Sequence, residues 1–191
     1  MIKRKDAVLE AAKELFGVYG FTATTFKKIA GKAGVAPGLL AHHYGTKERL
    51  FLEAGLDVLR NFKIVLEASV ANSPNGLEGV LNFCRAYLDF SLDSNSNWLV
   101  LVRCSPYSDM KISSNQAMME TQFSGIHRIL EGEIERGIED GSIQTEDCKA
   151  TAQVIMATLV GANRTKVLTP YASSTLYKDV PEFIAKAIKN I

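Results

Sequence analysis

Residues 25–44, TFKKIAGKAGVAPGLLAHHY, decide the fold. Thr25 stands immediately before Phe26, Ile29, Ala30 and Ala33, so its hydroxyl can accept from the first free amides of a helix whose apolar residues share a face. Gly34 ends that helix, since glycine takes the left-handed residue after a last turn without steric cost. Ala36-Pro37 opens a second helix, because proline suits a first turn, and the pattern carries it to about Tyr44. Small Ala30 permits a close crossing, while Val35 and Leu40 point inward and lock the angle. Two short helices joined by a tight glycine turn read as a helix-turn-helix, the alternative being an ordinary helical hairpin.

Upstream, Val8, Ala12, Leu15, Phe16 and Tyr19 recur at helical spacing over residues 5–19, and Gly20 supplies a stop. Downstream, Gly45 breaks the pattern and Thr46 can cap a longer helix carrying Leu50, Phe51, Ala54, Val58, Phe62 and Val65. Residues 72–76, NSPNG, are a turn before a fifth helix over 77–92, whose two apolar stripes mark it as central. Residues 98–104 fit a buried strand as well as a short helix. A helix is expected because no partner strand occurs elsewhere. Residues 114–140 place Met119, Phe123, Ile126, Leu130, Ile134 and Ile138 on one stripe closed by Gly141. Thr145 is expected to cap a helix reaching about residue 168. After Thr169-Pro170, a last helix puts Leu176, Val180, Phe183, Ile184, Ala187 and Ile188 on a single face. The expected class is all-α, with about nine helices.

Composition narrows the function. A net charge of +1 hides an asymmetry: residues 1–50 hold nine Lys and Arg against four Asp and Glu, leaving an acidic remainder. That places a polyanion-binding end at the N-terminus, although uneven charge on solvated helices would look the same. Cys84, Cys104 and Cys148 are odd in number and widely spaced, which argues against a disulfide framework or a thiolate zinc site and for a reducing cytoplasm. Lys3, Arg4 and Lys5 could start a signal peptide, but Glu10, Lys13 and Glu14 interrupt its apolar stretch. No segment approaches the roughly 20 apolar residues that span a bilayer. Nucleotide-binding glycine loops, nucleophile elbows and zinc-protease motifs are missing, so no enzyme, cofactor or metal is expected. Residues 93–97, DSNSN, imitate a calcium loop, but Trp98 replaces its glycine.

The pattern Ala11-Ala12, Leu15-Phe16, Gly20-Phe21, Thr25, Ile29-Ala30 and Ala33-Gly34-Val35-Ala36, followed by His43-Tyr44-Gly45-Thr46-Lys47-Glu48 and Leu50, resembles the N-terminal domain of TetR-family transcription regulators over about residues 4–52. The resemblance implies a helix-turn-helix DNA-binding domain over 1–48 and a helical effector-binding and dimerisation domain over 49–191. It implies that Pro37, Gly38, Leu39, Ala41 and His42 face the major groove, that Thr25 and Lys27 reach the backbone or a base edge, and that Lys47, beside amides capped by Thr46, clamps a phosphate. Lys28, Ala36, His43 and Tyr44 complete the expected interface. Tyr44 stands where the family commonly has a packing Phe, and His43 is equally a packing residue. Thr25 reads also as a cap alone, and Lys27 and Lys47 as solvated lysines. Leu39 and Ala41 depart from the family, which often has a small hydroxyl residue and a Tyr in this helix. Direct base readout must then lean on Lys27, His42, apolar contact with thymine methyls, or DNA shape. Lys3, Arg4 and Lys5 can track a phosphate backbone or minor groove.

The partners implied are a palindromic double-stranded operator, a second copy of the chain, and an unidentified small-molecule effector that releases a repressor from DNA. The small stripe Ala150, Val154, Ala157 and Gly161, with Leu176, Val180, Phe183, Ile184 and Ala187 of the last helix, is the expected dimer seam. The alternative is that these faces pack within one chain. Phe62, Phe83, Tyr87, Trp98, Arg103, Tyr107, Met118, Phe123, His127 and Asn163 are effector-pocket candidates, since aromatic walls with few polar groups describe small-molecule sites. Arg85, Arg103 and Arg164 could meet an anionic ligand or a nearby carboxylate, and His127 could pair with Glu131. The helix after Thr46 is the expected lever between effector and DNA. The rival readings are a helical adaptor, or a DNA-binding regulator with no effector.

Overall fold

A computed structural model describes residues 2–103 and 113–189, the side chains of residues 2–4 and 113 excepted. Nine α-helices lie among the described residues: α1 (Ile2–Ala23), α2 (Phe26–Ala33), α3 (Pro37–Tyr44), α4 (Lys47–Val70), α5 (Gly76–Phe90), α6 (Leu99–Arg103), α7 (Ser113–Glu139), α8 (Cys148–Leu168) and α9 (Leu176–Ile188). The fold is all-α, and the ambiguous segment after Trp98 is helical. The chain divides into two compact units: one built from residues up to Arg60 with Ser94–Gln122, the other from Asn61–Asp93 with the chain from Phe123 onward.

In the first unit, backbone punctuation does what its residues require. Gly20 (φ 77°, ψ 173°) interrupts α1 without ending it, so the helix resumes as far as Ala23. Thr25 caps α2 by accepting from the Lys28 amide at 3.3 Å, and Thr46 caps α4 by accepting from the Arg49 amide at 3.1 Å. Phe16, Phe21 and Phe51 pack ring against ring at 5.1–6.0 Å, tying α1 to α4 beside fully buried Ile29, Ala30 and Leu40.

Lys13 is the polar exception. It is 4% exposed and bonds Asp57 at 2.8 Å and Glu10 at 2.6 Å, while Arg60 reaches the other Asp57 oxygen at 3.0 Å. Burial acts to raise the Asp57 carboxyl, but the hydrogen bond and charge of Lys13, with Arg60 behind it, outweigh this and hold it below its usual 3.8. Burial likewise acts to lower Lys13, and its carboxylate partners raise it above 10.5. A depressed carboxylate contributes stability above its unfolded pKa of about 4 and loses it as pH falls through the folded value. The raised lysine loses its contribution only as pH climbs past 10.5. Asp57→Asn is therefore expected to cost about 2 kcal/mol at neutral pH, less than a stranded charge because Glu10 remains. Urea titrations from pH 3 to pH 7 should show the variant with a flatter acid limb than wild type.

In the second unit, α5 is central as its stripes required, with Val80, Leu81, Phe83, Cys84, Tyr87 and Leu88 buried. It crosses α7 at Gly76, whose approach to Gly137 leaves no room for a Cβ. The Arg136 guanidinium closes the crossing, donating at 3.0 Å to the Ser73 and Asn75 carbonyls and pairing with Glu133. Asp140 accepts from the Gly76 amide at 2.7 Å and the Ser142 amide at 2.9 Å. The Gln144 amide donates to Ile188 at 2.9 Å, fastening the end of α9. Ser91 and Tyr177 share a 2.7 Å hydrogen bond between α5 and α9.

One expectation is corrected here. The cap of α8 is Asp147, accepting from the Ala150 amide at 2.9 Å, while Thr145 instead meets the Thr151 hydroxyl at 2.7 Å. The apolar arc of α9 is only partly covered within the protomer, and Phe183, Ile184, Ala187 and Ile188 line one groove. Val180, Ile184 and Ile188, spaced by four, are buried within the protomer, whereas Phe183 and Ala187 point out.

Candidate nucleic-acid interface

The turn between α2 and α3 is built from backbone. Gly34 adopts φ 66° and ψ 33°, its amide reaches the last carbonyls of α2, and the Val35 amide closes onto Ala30 at 3.0 Å. Pro37 begins α3, and inward Leu40 and Tyr44, one helical turn apart, hold it down. That leaves Ala36, Pro37, Gly38, Ala41, His42 and His43 exposed and Leu39 half-buried, a short convex face. The two imidazoles meet edge to face at 5.4 Å and are its only side chains able to hydrogen-bond a base. Tyr44 is 4% exposed, which removes it from this face and gives it the packing role. Burial, with Glu53 and Asp6 nearby, pushes its phenol upward, and its hydroxyl finds no partner among the described residues.

Part of the N-terminal positive charge is neutralised where it stands. Lys13 is buried with its carboxylates, Lys32 meets Glu14 at 2.6 Å, and Lys5 and Arg49 share Glu53 at 3.6 and 4.0 Å. Lys27, Lys28 and Lys47 have no carboxylate within ion-pairing reach among the described residues. Lys28 donates to the Ala23 carbonyl at 2.8 Å and Lys47 to the Phe21 carbonyl at 2.8 Å; both keep their charge because a carbonyl does not cancel it. Among the described residues of the N-terminal unit these three lysines thus stand without a carboxylate partner, before and after α3 in the chain. Thr24, which sequence reasoning passed over, is fully buried and sets this corner: its hydroxyl lies 3.0 Å from the Leu15 carbonyl and 2.8 Å from that of Gly20. The adjacent Thr24-Thr25 pair was its only signal.

The remaining site candidates are dispersed. Ala150, Val154, Ala157 and Gly161 of α8 are exposed, as are Phe183 and Ala187 of α9, while Leu176 is half-buried. Ala150, Val154, Thr158, Phe183 and Ala187 line an open apolar groove of about 290 Å³. Phe62 packs against Tyr87 at 5.0 Å and Phe90 at 4.9 Å, and Phe83 lies 6.3 Å from Tyr87; Asn163 is also buried, and Phe123 and His127 are half-buried. Burial, with Tyr177 nearby, pushes the Tyr87 phenol upward. Trp98, Arg103 and Met118 belong to the other unit. There Trp98 is buried, Met118 is exposed, and Arg103 donates to the Val18 carbonyl at 2.8 Å. Tyr107 and Cys104 lie outside the described residues. Arg85 meets Asn82 at 2.9 Å and Glu78 at 3.7 Å, and His127 makes no ion pair with Glu131 among the described residues. No three His, Cys, Asp or Glu among the described residues are placed to hold a metal, and no described helix is long and apolar enough to cross a membrane.

Comparison with known proteins places this geometry. Residues 8–54 match the family described as bacterial regulatory proteins, tetR family. The HTH-type transcriptional regulator YhgD of Bacillus subtilis is 27% identical over 155 residues, covering 81% of this chain and 80% of its own. A protein of Saccharomonospora viridis, solved in complex with choline, superposes with a TM-score of 0.87 at 15% identity over 100% of both chains. The transcriptional regulator FadR of Bacillus subtilis, solved with stearoyl-CoA, superposes with a TM-score of 0.79 at 21% identity, covering 96% of this chain and 99% of its own.

Proposed function

The chain belongs to the TetR family of helix-turn-helix transcriptional regulators, and from that premise we propose that it is a homodimeric repressor of a palindromic operator, released by a small molecule. It is a DNA-binding regulator rather than an enzyme. In this reading residues 1–48 read DNA and residues 49–191 carry dimerisation and effector binding. The observation that carries the DNA-reading part is the exposed face of α3, fixed by the Gly34 turn, beside the unneutralised Lys27, Lys28 and Lys47. The lysines bind phosphates and set register; the face of α3, poor in donors, reads methyl groups and groove shape with His42 as its polar contact.

Selection of bound duplexes from random DNA tests this directly. A palindrome with half-sites about 34–36 Å apart, or a multiple of that, is expected, and binding without sequence preference would refute it. Lys27→Gln, Lys28→Gln and Lys47→Gln are each expected to weaken binding on all sequences and to reduce the salt slope by about two per dimer, one phosphate per protomer.

The effector part of the proposal draws on Phe62, Phe83, Tyr87, Phe123, His127 and Asn163 of the second unit as the wall of a site, and on the choline and stearoyl-CoA bound by the two structural neighbours. Helix α4, which carries Lys47 in its first turn and Phe62 further on, is the proposed lever. A ligand acts through its differential affinity for the two states. Titration of the operator complex with choline and with acyl-CoA thioesters checks it: release at saturating ligand supports the reading, and ligand binding with operator affinity unchanged contradicts it.

A further inference from the structure

The end of α1, to which the DNA-binding residues named so far do not extend, holds two of the three unneutralised lysines. Gly20 turns the chain there, and the five residues from Tyr19 to Ala23 supply a ring and a carbonyl to each ammonium. The Lys47 Nζ lies 4.3 Å from the centroid of the Phe21 ring and donates to the Phe21 carbonyl at 2.8 Å, with the Thr22 carbonyl at 3.5 Å. The Lys28 Nζ lies 5.2 Å from the centroid of the Tyr19 ring and donates to the Ala23 carbonyl at 2.8 Å. A ring face attracts a cation through its quadrupole, and the carbonyls ending a helix attract it through the helix dipole. Neither partner neutralises the charge, and an ammonium with three donors keeps at least one N–H for a phosphate. Lysine otherwise brings a flexible stem whose freedom is lost on binding; one already held loses less.

We propose that Tyr19 and Phe21 are positioning residues for DNA binding, holding the Lys28 and Lys47 ammonium groups as a preset phosphate clamp on both sides of α3 in the chain. The proposal rests on the reading of those lysines as phosphate contacts. It assigns to the Gly20-Phe21 pair a role beyond packing: the same ring that touches Phe16 and Phe51 turns a face to Lys47.

The test must separate ring electronics from packing, so the probe is mono-, di- and trifluorinated phenylalanine at position 21, which keeps the ring's shape while draining its π density. Affinity for the selected operator should fall stepwise, by about fivefold at trifluorination, with the thermal midpoint unchanged and no effect in a Lys47→Gln background. Tyr19→Leu, at an exposed position, should lose about threefold, and nothing in a Lys28→Gln background. If fluorination leaves affinity unchanged while Lys47→Gln lowers both affinity and salt slope, the positioning role is wrong and the phosphate reading stands. If Lys28→Gln and Lys47→Gln alter neither affinity nor slope, the phosphate reading itself fails and takes the proposal with it. Loss of affinity in step with a falling midpoint marks a structural role and overturns the proposal.

Discussion

Phe183→Asp is expected to convert the proposed dimer to a monomer and to weaken operator binding by about 10²–10⁴-fold, the factor gained when a second half-site contact becomes intramolecular. Phe183 is 67% exposed and Val154 is 66% exposed, and together they border the apolar groove between α8 and α9. Val160 on α8 and Tyr171 beyond it are also exposed, at 42% and 79%. Large apolar side chains standing out from two neighbouring helices around one apolar groove are what an isologous seam requires. Gly161 adds to this, because a Cβ there would meet nothing within 4 Å in its own chain. Since Phe183 touches water in the protomer, the substitution leaves the monomer's core alone and places two carboxylates, one from each copy, in an apolar seam where neither finds a partner. Sedimentation across a concentration series reads the first effect and titration of a full against a half operator reads the second. A variant that stays dimeric with wild-type operator affinity would show that the seam lies elsewhere.

Local chemistry was legible in the sequence and tertiary pairing was not. Gly34, Pro37, Thr25 and Thr46 act on their immediate neighbours, so residue type and spacing were enough to place α2, α3 and the start of α4. The charge count pointed to the N-terminal end of the chain but could not say which charges are paired there. Lys13 and Asp57 are 44 positions apart and Lys32 and Glu14 are 18 apart, and no local pattern announces such pairs. Periodicity found the apolar arc of α9 but could not say which part of it the protomer covers. A side chain such as Phe183, which the protomer leaves out, carries the same hydropathy as Ile184 beside it, which the protomer buries. Aromatic type alone gathered pocket candidates from both units, because nothing in the sequence separates a ring that lines a cavity from a ring that fills one.

Gly76 makes the same point at a single residue, and Gly76→Ala is expected to be the most destabilising small substitution in the second unit. In the sequence it closes the NSPNG turn and invites a reading as punctuation, but its backbone requires no positive φ. The requirement comes from across the helix crossing: an added Cβ would overlap the Gly137 amide nitrogen and Cα, with the Glu133 carbonyl oxygen at 2.5 Å. All of these are backbone atoms, so no rotamer change relieves the overlap and α5 must lift from α7. Lifting stretches the Arg136 bonds to the Ser73 and Asn75 carbonyls, the Asp140 bond to the Gly76 amide, and the bond from the Leu77 amide to the Ser142 hydroxyl at 3.1 Å. Overpacking of this kind costs about 3 kcal/mol, which for a chain of this length lowers the thermal midpoint by roughly 6–12 °C. Gly132→Ala on α7 is the control, since Gly132 is exposed, needs no positive φ, and a Cβ there would meet nothing within 4 Å. The gain in helix propensity of about 1 kcal/mol then acts alone. Calorimetry should therefore find Gly132→Ala at or slightly above wild type and Gly76→Ala far below it. Equal midpoints for the two variants would mean that the crossing yields more readily than close-packed backbones allow.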